Sequence, residues 1–194
     1  HGNFTTNIGI EYLGRENVDA YDAVVSVLNR TYSLKNGSED GWSLFALTDW
    51  QASAKVALEF GGRATRNSQD HDGIHSSDTA NALTAGLVYS PNDWSRVTAN
   101  LASGFRFPTL EERFYTGVTA QGEVVGNPDL GSEKSKGIDI GYAIDRGNWG
   151  GEIHLWRTNV DDLIQLIDIS DDVNGYVNAG HAKLHGGEAA LGFT

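Results

Sequence analysis

Imidazole and carboxylate groups crowd one polar stretch of this chain. Asp70, His71, Asp72, His75 and Asp78 fall within nine consecutive positions. Imidazole nitrogen combined with carboxylate oxygen is a donor set for zinc or copper. The same composition suits a solvated polar loop, and both readings stay open at this point. A second stretch, Asp168, Asp171, Asp172 and Asn174 ahead of Gly175, offers the oxygen ligands that calcium takes. Counted from Ser170, an EF-hand loop would need its bidentate Glu where His181 stands, so the spacing does not fit that motif. Glu111-Glu112 and Asp161-Asp162 are adjacent acids. In a strand such neighbours point to opposite faces, which is poor geometry for shared acid–base work. No His-Glu-x-x-His, Gly-x-Ser-x-Gly or phosphate-cradling loop occurs, and no enzymatic activity is expected.

These groups lie between segments with the two-residue period of half-buried strands. Phe4, Thr6, Ile8, Ile10 and Tyr12 share one face; Thr5, Asn7, Gly9 and Glu11 share the other. Further strands are predicted over Trp42–Trp50, Ala54–Arg66, Asn81–Tyr89, Ser95–Phe105, Lys134–Ile144, Trp149–Ile167 and Val177–Phe193. A bulge is expected near Asp161, where the alternation slips, and a kink at Gly186-Gly187. Arg15–Asp40, Asn67–Thr79 and Asp168–Tyr176 read as polar connections. Within the first, Ala23–Leu28 is apolar enough for a strand extension or a helix. The expectation is an all-β antiparallel up-and-down meander of about eight strands.

The longest connection joins Phe105 to Lys134 and runs to about 25 residues, long for a compact soluble domain. Pro108 has no N–H to give to a ladder, so the preceding strand should stop near Phe107. Asn127-Pro128-Asp129 is a turn signal, because Pro fixes φ and Asx side chains bond their own backbone. Short and long connections alternate along the chain, as they do between the two ends of transmembrane barrels. Tyr12, Trp42, Trp50, Tyr89, Trp94, Phe105 and Trp149 lie near strand ends, where interfacial girdles form.

Composition narrows the class. Of 194 residues, 14 are Lys or Arg and 26 are Asp or Glu, a net charge of -12. A nucleic-acid partner is not expected from so acidic a chain. With no Cys, a disulfide framework or thiolate zinc site is excluded. No run of about 18 apolar residues occurs, so no membrane-crossing helix is expected. The chain has no Met and no apolar leader, so it is expected to start after any initiator or signal segment.

The long connection also carries a family signature. Phe105-Arg106-Phe107-Pro108-Thr109-Leu110-Glu111-Glu112-Arg113-Phe114, followed by Gly126-Asn127-Pro128-Asp129-Leu130-Gly131-Ser132-Glu133-Lys134-Ser135, resembles the barrel of TonB-dependent outer-membrane receptors. Ser43-Leu44-Phe45-Ala46, Phe60-Gly61-Gly62-Arg63, Asp161-Asp162-Leu163-Ile164 and Val177-Asn178-Ala179-Gly180 resemble the same family. The resemblance implies part of a large transmembrane β-barrel in the bacterial outer membrane, without the plug and with the barrel incomplete. It implies cargo such as a ferric siderophore, haem, cobalamin or a metal ion. Its partners would be the plug, the remaining barrel strands, TonB acting through the plug, and membrane lipid. Open sheet edges would pair with the rest of the barrel or with another copy.

By the same resemblance, Arg106, Glu111 and Arg113 lie at the extracellular mouth, as ligand contacts or as a salt-bridged loop base. Tyr115, Gln121 and Glu123 sit mid-loop as further ligand contacts. Arg96, Thr98, Asn100 and Asp139 would pack against the plug. Any divalent metal (an iron complex, zinc or calcium) would be ligand rather than resident cofactor, with Asp70, His71, Asp72 and His75 as its candidate holders. A different class, a secreted β-sandwich binding carbohydrate on its Trp residues, also has alternating strands. The two differ in whether Ile8, Leu87, Leu101 and Ile140 form one outer band or lie between two sheets.

Overall fold

The computed structural model describes residues 3–22, 31–119 and 122–193. The Ala23–Leu28 segment and Gln121 lie outside them. The strands are β1 (Asn3–Tyr21), β2 (Tyr32–Ser53), β3 (Val56–His71), β4 (Ile74–Asn92) and β5 (Ser95–Arg106). A single-turn helix α1 (Leu110–Phe114) and two short strands, β6 (Thr116–Thr119) and β7 (Gly122–Val125), follow. The chain continues with β8 (Glu133–Arg146), β9 (Trp149–Ser170) and β10 (Val173–Phe193). All ten strands form one sheet, ordered β1-β2-β3-β4-β5-β8-β9-β10-β7-β6. Every pairing is antiparallel except β7 on β10.

The eight long strands stand where the alternation placed them, but they are longer. Asn67–Thr79 is not a loop. It is the top of the β3–β4 hairpin, closed by Asp72 and Gly73, whose φ values of 47° and 79° suit a two-residue turn. Asp168–Tyr176 is likewise hairpin, turning at Asp171-Asp172. Beyond the membrane both faces of a strand meet water, so the ladder continues while the apolar alternation stops. The bulge near Asp161 is present: Val160 pairs with Ala182, Leu163 with Gly180, and Asp162 has φ 59°. The register runs unbroken through Gly186-Gly187, with no irregularity there.

One rung of the register crosses eight strands: Phe4, Trp50, Leu58, Leu87, Ala99, Ile140, Leu155 and Gly187. Cross-strand partners share a face, so this rung is a continuous apolar stripe. Phe4 and Trp50 stack with centroids 5.1 Å apart at one end. Among the described residues no second layer covers the face that carries it: Phe4 is 65 % exposed, Ile8 74 %, Leu83 64 % and Leu101 56 %. Left in water, Phe4, Ile8, Ile10, Leu44, Leu83, Leu101, Ile140 and Leu155 would forgo roughly 12 kcal/mol at the lower end of the transfer scale. That is as large as the whole stability of a typical domain, about 5–15 kcal/mol. The face therefore belongs against hydrocarbon. The β-sandwich alternative fails here, because no second sheet covers Ile8, Leu87, Leu101 and Ile140 among the described residues.

The opposite face is polar. Arg63 reaches Glu11 at 2.6 Å and Ser43 at 2.8 Å, and Ser43 bonds Thr65 at 2.9 Å. Asn100 donates to Asp139 at 3.4 Å. The apolar core that does exist lies at the end of the sheet with the long strand extensions, where Leu34, Leu110 and Phe114 pack with Val18 and Ala20.

Candidate functional site: a strap across the barrel mouth

Residues 107–132 leave β5, cross the polar face and return to β8. Pro108 ends the ladder at Arg106 as its chemistry requires. Thr109 then caps α1: its hydroxyl accepts from the Glu112 N–H at 3.1 Å, and Glu112 accepts from the Thr109 N–H at 2.8 Å. The helix was not anticipated, although Thr-x-x-Glu is its sequence signal. Leu110 is fully buried and Phe114 nearly so, which pins the turn to Leu34.

Arg113 is 2 % exposed. Its guanidinium pairs with Asp78, donates to Gln69 Oε1 at 3.1 Å and to the Leu130 carbonyl at 2.6 Å. Gln69, fully buried, donates to Glu39 at 2.9 Å and to the Pro108 carbonyl at 2.9 Å. Glu39 also accepts from Asn67 at 3.0 Å and pairs with Arg15. Two cations and two carboxylates close into one balanced chain linking β1, β2, β3, β4 and the strap. Burial alone would raise the Glu39 carboxyl. The bonds from Gln69, Arg15 and Asn67, with the Arg15 charge, outweigh it and hold Glu39 below its ordinary value.

A second junction closes the base of the strap. Arg106 donates to Glu133 at 2.9 and 2.6 Å and to Glu112 at 2.8 Å. Arg106 holds Glu133 low in pKa against the effect of burial, helped by the Ile164 N–H, and Arg106 is itself raised. Such charge-assisted, paired contacts are the strong ones.

Past α1 the strap forms the β6–β7 hairpin. The Val118 N–H donates to Asp22 at 3.2 Å, reaching the top of β1. β7 adds to β10 in parallel, with the Glu123 N–H on the Asp172 carbonyl at 3.0 Å. Asn127 donates to the Tyr176 carbonyl at 2.9 Å, and Ser76 to the Pro128 carbonyl at 3.1 Å. Asn178 clasps both N–H and C=O of Gly131, at 2.7 and 3.0 Å. The strap thus bridges the first strands to the last.

The candidate residues separate by environment. Arg106 and Arg113 are spent in internal ion pairs. Glu111 and Tyr115 are half-buried on the strap and Glu123 is exposed. Near Glu112, Glu111 and Tyr115 stands Tyr176, whose phenol is raised first by burial and then by those neighbours. The metal candidates do not converge. His75 meets Asp70 at 2.8 Å, both 55 % exposed, while alternation turns His71 to the other face, against the Phe114 ring at 5.5 Å. Asp72 approaches His71 at 3.5 Å from the turn. Among the described residues no three His, Asp or Glu side chains gather as a metal site, and this includes Asp168, Asp171 and Asp172. Sequence reasoning missed Glu39 and Gln69, which sit in stretches read as loops and match no motif.

A curved single sheet, greasy outside and polar inside with a strap over its inner mouth, is a section of a membrane barrel wall. The TonB dependent receptor-like β-barrel family model matches residues 1–194, and the chain belongs to that family. Such barrels lie in the bacterial outer membrane. The chain is 28 % identical over 86 residues to haemoglobin and haemoglobin-haptoglobin-binding protein B of Haemophilus influenzae, covering 44 % of this chain and 8 % of that protein. It is 29 % identical over 134 residues to transferrin-binding protein A of Neisseria meningitidis serogroup B, covering 62 % and 14 %. The fold matches the Serratia marcescens haemophore receptor HasR, solved with its haemophore HasA and haem, at TM-score 0.80 and 16 % identity. That match covers 98 % of this chain and 36 % of HasR. The chain therefore spans roughly a third or less of these relatives.

Proposed function

We propose that this chain is wall and mouth of a receptor that imports a scarce iron-bearing nutrient, with haem or a ferric chelate as the cargo class. The observation that supports this most is the strap. It is anchored at both ends to the wall, and among the described residues Glu111, Tyr115 and Glu123 make no side-chain ion pair. Haemoglobin, transferrin and haem stand in the names of more of these relatives than vitamin B12 or copper do, which favours iron over other cargo.

In this reading Glu111, Tyr115 and Glu123, with Gln121 between them in sequence, touch the ligand. Arg106 and Arg113 hold the strap in place. The polar inner residues Arg96, Thr98, Asn100 and Asp139 face a plug supplied by the whole protein, and TonB acts through that plug. Of the two imidazole–carboxylate pairs among the metal candidates, Asp70 and His75 are the closer and more exposed, and they would contribute to a metal contact that outside ligands complete.

The test is growth of an iron-starved strain lacking its own uptake systems and carrying the full-length receptor. Growth should occur on haem or a ferric chelate as sole iron source and should vanish when TonB is deleted. Uptake of labelled cobalamin with no growth on any iron source would replace the iron reading.

A further inference from the structure

Tyr21 and Tyr32 close the top of the β1–β2 ladder as register partners. Tyr21 lies nine residues beyond Tyr12, which packs on Trp42 at 4.7 Å in the aromatic girdle. The pair therefore stands clear of the membrane, at the barrel mouth. The two rings lie 4.7 Å apart at 35°, and their hydroxyl oxygens 3.4 Å apart. Both side chains stay open to solvent, at 39 % and 43 %. The partners just below are Ala20 and Leu34, packed in the apolar core with Leu110 and Phe114. The pair is thus built on the firmest part of the mouth, and a tyrosine has only two side-chain torsions to fix.

Two phenol oxygens held this close form one edge of a coordination octahedron. A small hard cation keeps its oxygen ligands at about 2.0–2.1 Å, so adjacent ones stand roughly 2.9 Å apart. A slight turn of either ring closes the gap from 3.4 Å. Phenolate is a hard anionic ligand, and tyrosine ligates iron in some haem proteins. Ferric iron is small and triply charged, and hard cations take oxygen ligands before sulfur. The surroundings suit a carboxylate carrier. Lys35 Nζ stands 4.9 Å over the Tyr32 ring, a countercharge for the carrier's free carboxylates. Tyr32 and Lys35 also border a cavity of about 400 Å³ beside the strap, with His71, Asp72, Phe114 and Thr116.

We propose that Tyr21 and Tyr32 take hold of ferric iron delivered on a small carboxylate chelate. Each phenol gives its proton to solvent, and its oxygen displaces one water or carrier oxygen from the iron. The iron stays ferric, and the carrier keeps the remaining positions. The choice of iron rests on the import reading above; the convergence of the two hydroxyls does not. The site uses neither the Asp70–His75 pair nor Glu111, Tyr115 and Glu123.

The test adds ferric citrate to the full-length receptor in detergent and reads the visible phenolate-to-iron charge-transfer band. Gallium citrate is the control that binds without such a band. The wild type should develop the band, and Y21F/Y32F, which keeps both rings, should lose it. Each single variant should bind ferric citrate at least roughly tenfold more weakly. Binding releases protons, so the band should fade as pH falls. Y142F, on the lipid-facing side of β8, should behave as the wild type does. A wild type without the band, or an equal band in Y21F/Y32F, overturns the proposal. TonB-dependent growth on haem or a ferric chelate with no band sinks the site and leaves the import reading. A band lost in Y21F/Y32F, with no growth on any iron source, supports the site and removes the import reading.

Discussion

Asp78 and Arg113, 35 positions apart, form a part-buried ion pair that fastens the strap to β4. A guanidinium 2 % exposed must have its charge answered inside the protein, and the two terminal nitrogens of Arg113 are bonded there while Nε is not. Asp78→Ala should therefore cost the local structure about 3–5 kcal/mol, because it leaves Arg113 charged and buried. Hydrogen exchange on the full-length receptor should show the strap opening while the long strands stay protected. Replacing both partners, R113M with D78L, should recover much of that protection. Equal exchange in wild type and Asp78→Ala would remove the pair's structural role.

The strap should loosen in acid. Glu39 and Glu133 are both held below their ordinary value of about 4.5 in the folded state. A depressed carboxyl stabilises fully above its unfolded pKa and loses that contribution as pH falls through the folded one. Strap protection should then be flat from neutrality to about pH 5 and fall below about 4.5. Limited proteolysis across that range reads it. Glu39→Gln should flatten part of the fall, and an unchanged profile in the Glu39→Gln, Glu133→Gln double variant would contradict the assignment.

Gly126 lies where a side chain has no room. A methyl there would stand 2.6 Å from the Arg113 backbone, which cannot move aside as a flexible side chain would. Gly126→Ala should displace the second half of the strap and raise protease cleavage near Val125, with little change in barrel unfolding. Wild-type resistance in this variant would show that the crossing is looser than described.

On the lipid side, depth sets the penalty. Leu101→Arg, on the apolar face one rung above the stripe, should destabilise the assembled barrel by about 2–4 kcal/mol, while Tyr12→Arg at the girdle should cost about 0–1 kcal/mol. Urea unfolding of the full-length receptor in bilayers measures both. Equal effects would mean that the outward face does not meet hydrocarbon.

Much of this architecture was legible from period alone. A strand with lipid on one side and a polar interior on the other must alternate, so Phe4 to Tyr12 and Leu83 to Tyr89 announce themselves. Pro108, Asn127 and Pro128 marked the ends of the strap by their own backbone chemistry. Where the strands rise clear of the membrane, as at Asn67–Thr79, water on both sides removes the constraint that writes a pattern, and extended ladder reads as loop.

The sequence by itself determined the staves, their outward faces and the family, because each follows from local alternation or a contiguous motif. Only the tertiary structure decided that Glu39, Gln69, Asp78 and Arg113 meet. Gln69 lies 30 positions from Glu39 and 44 from Arg113. Side chains so far apart are brought together by register and curvature, which no local spacing encodes.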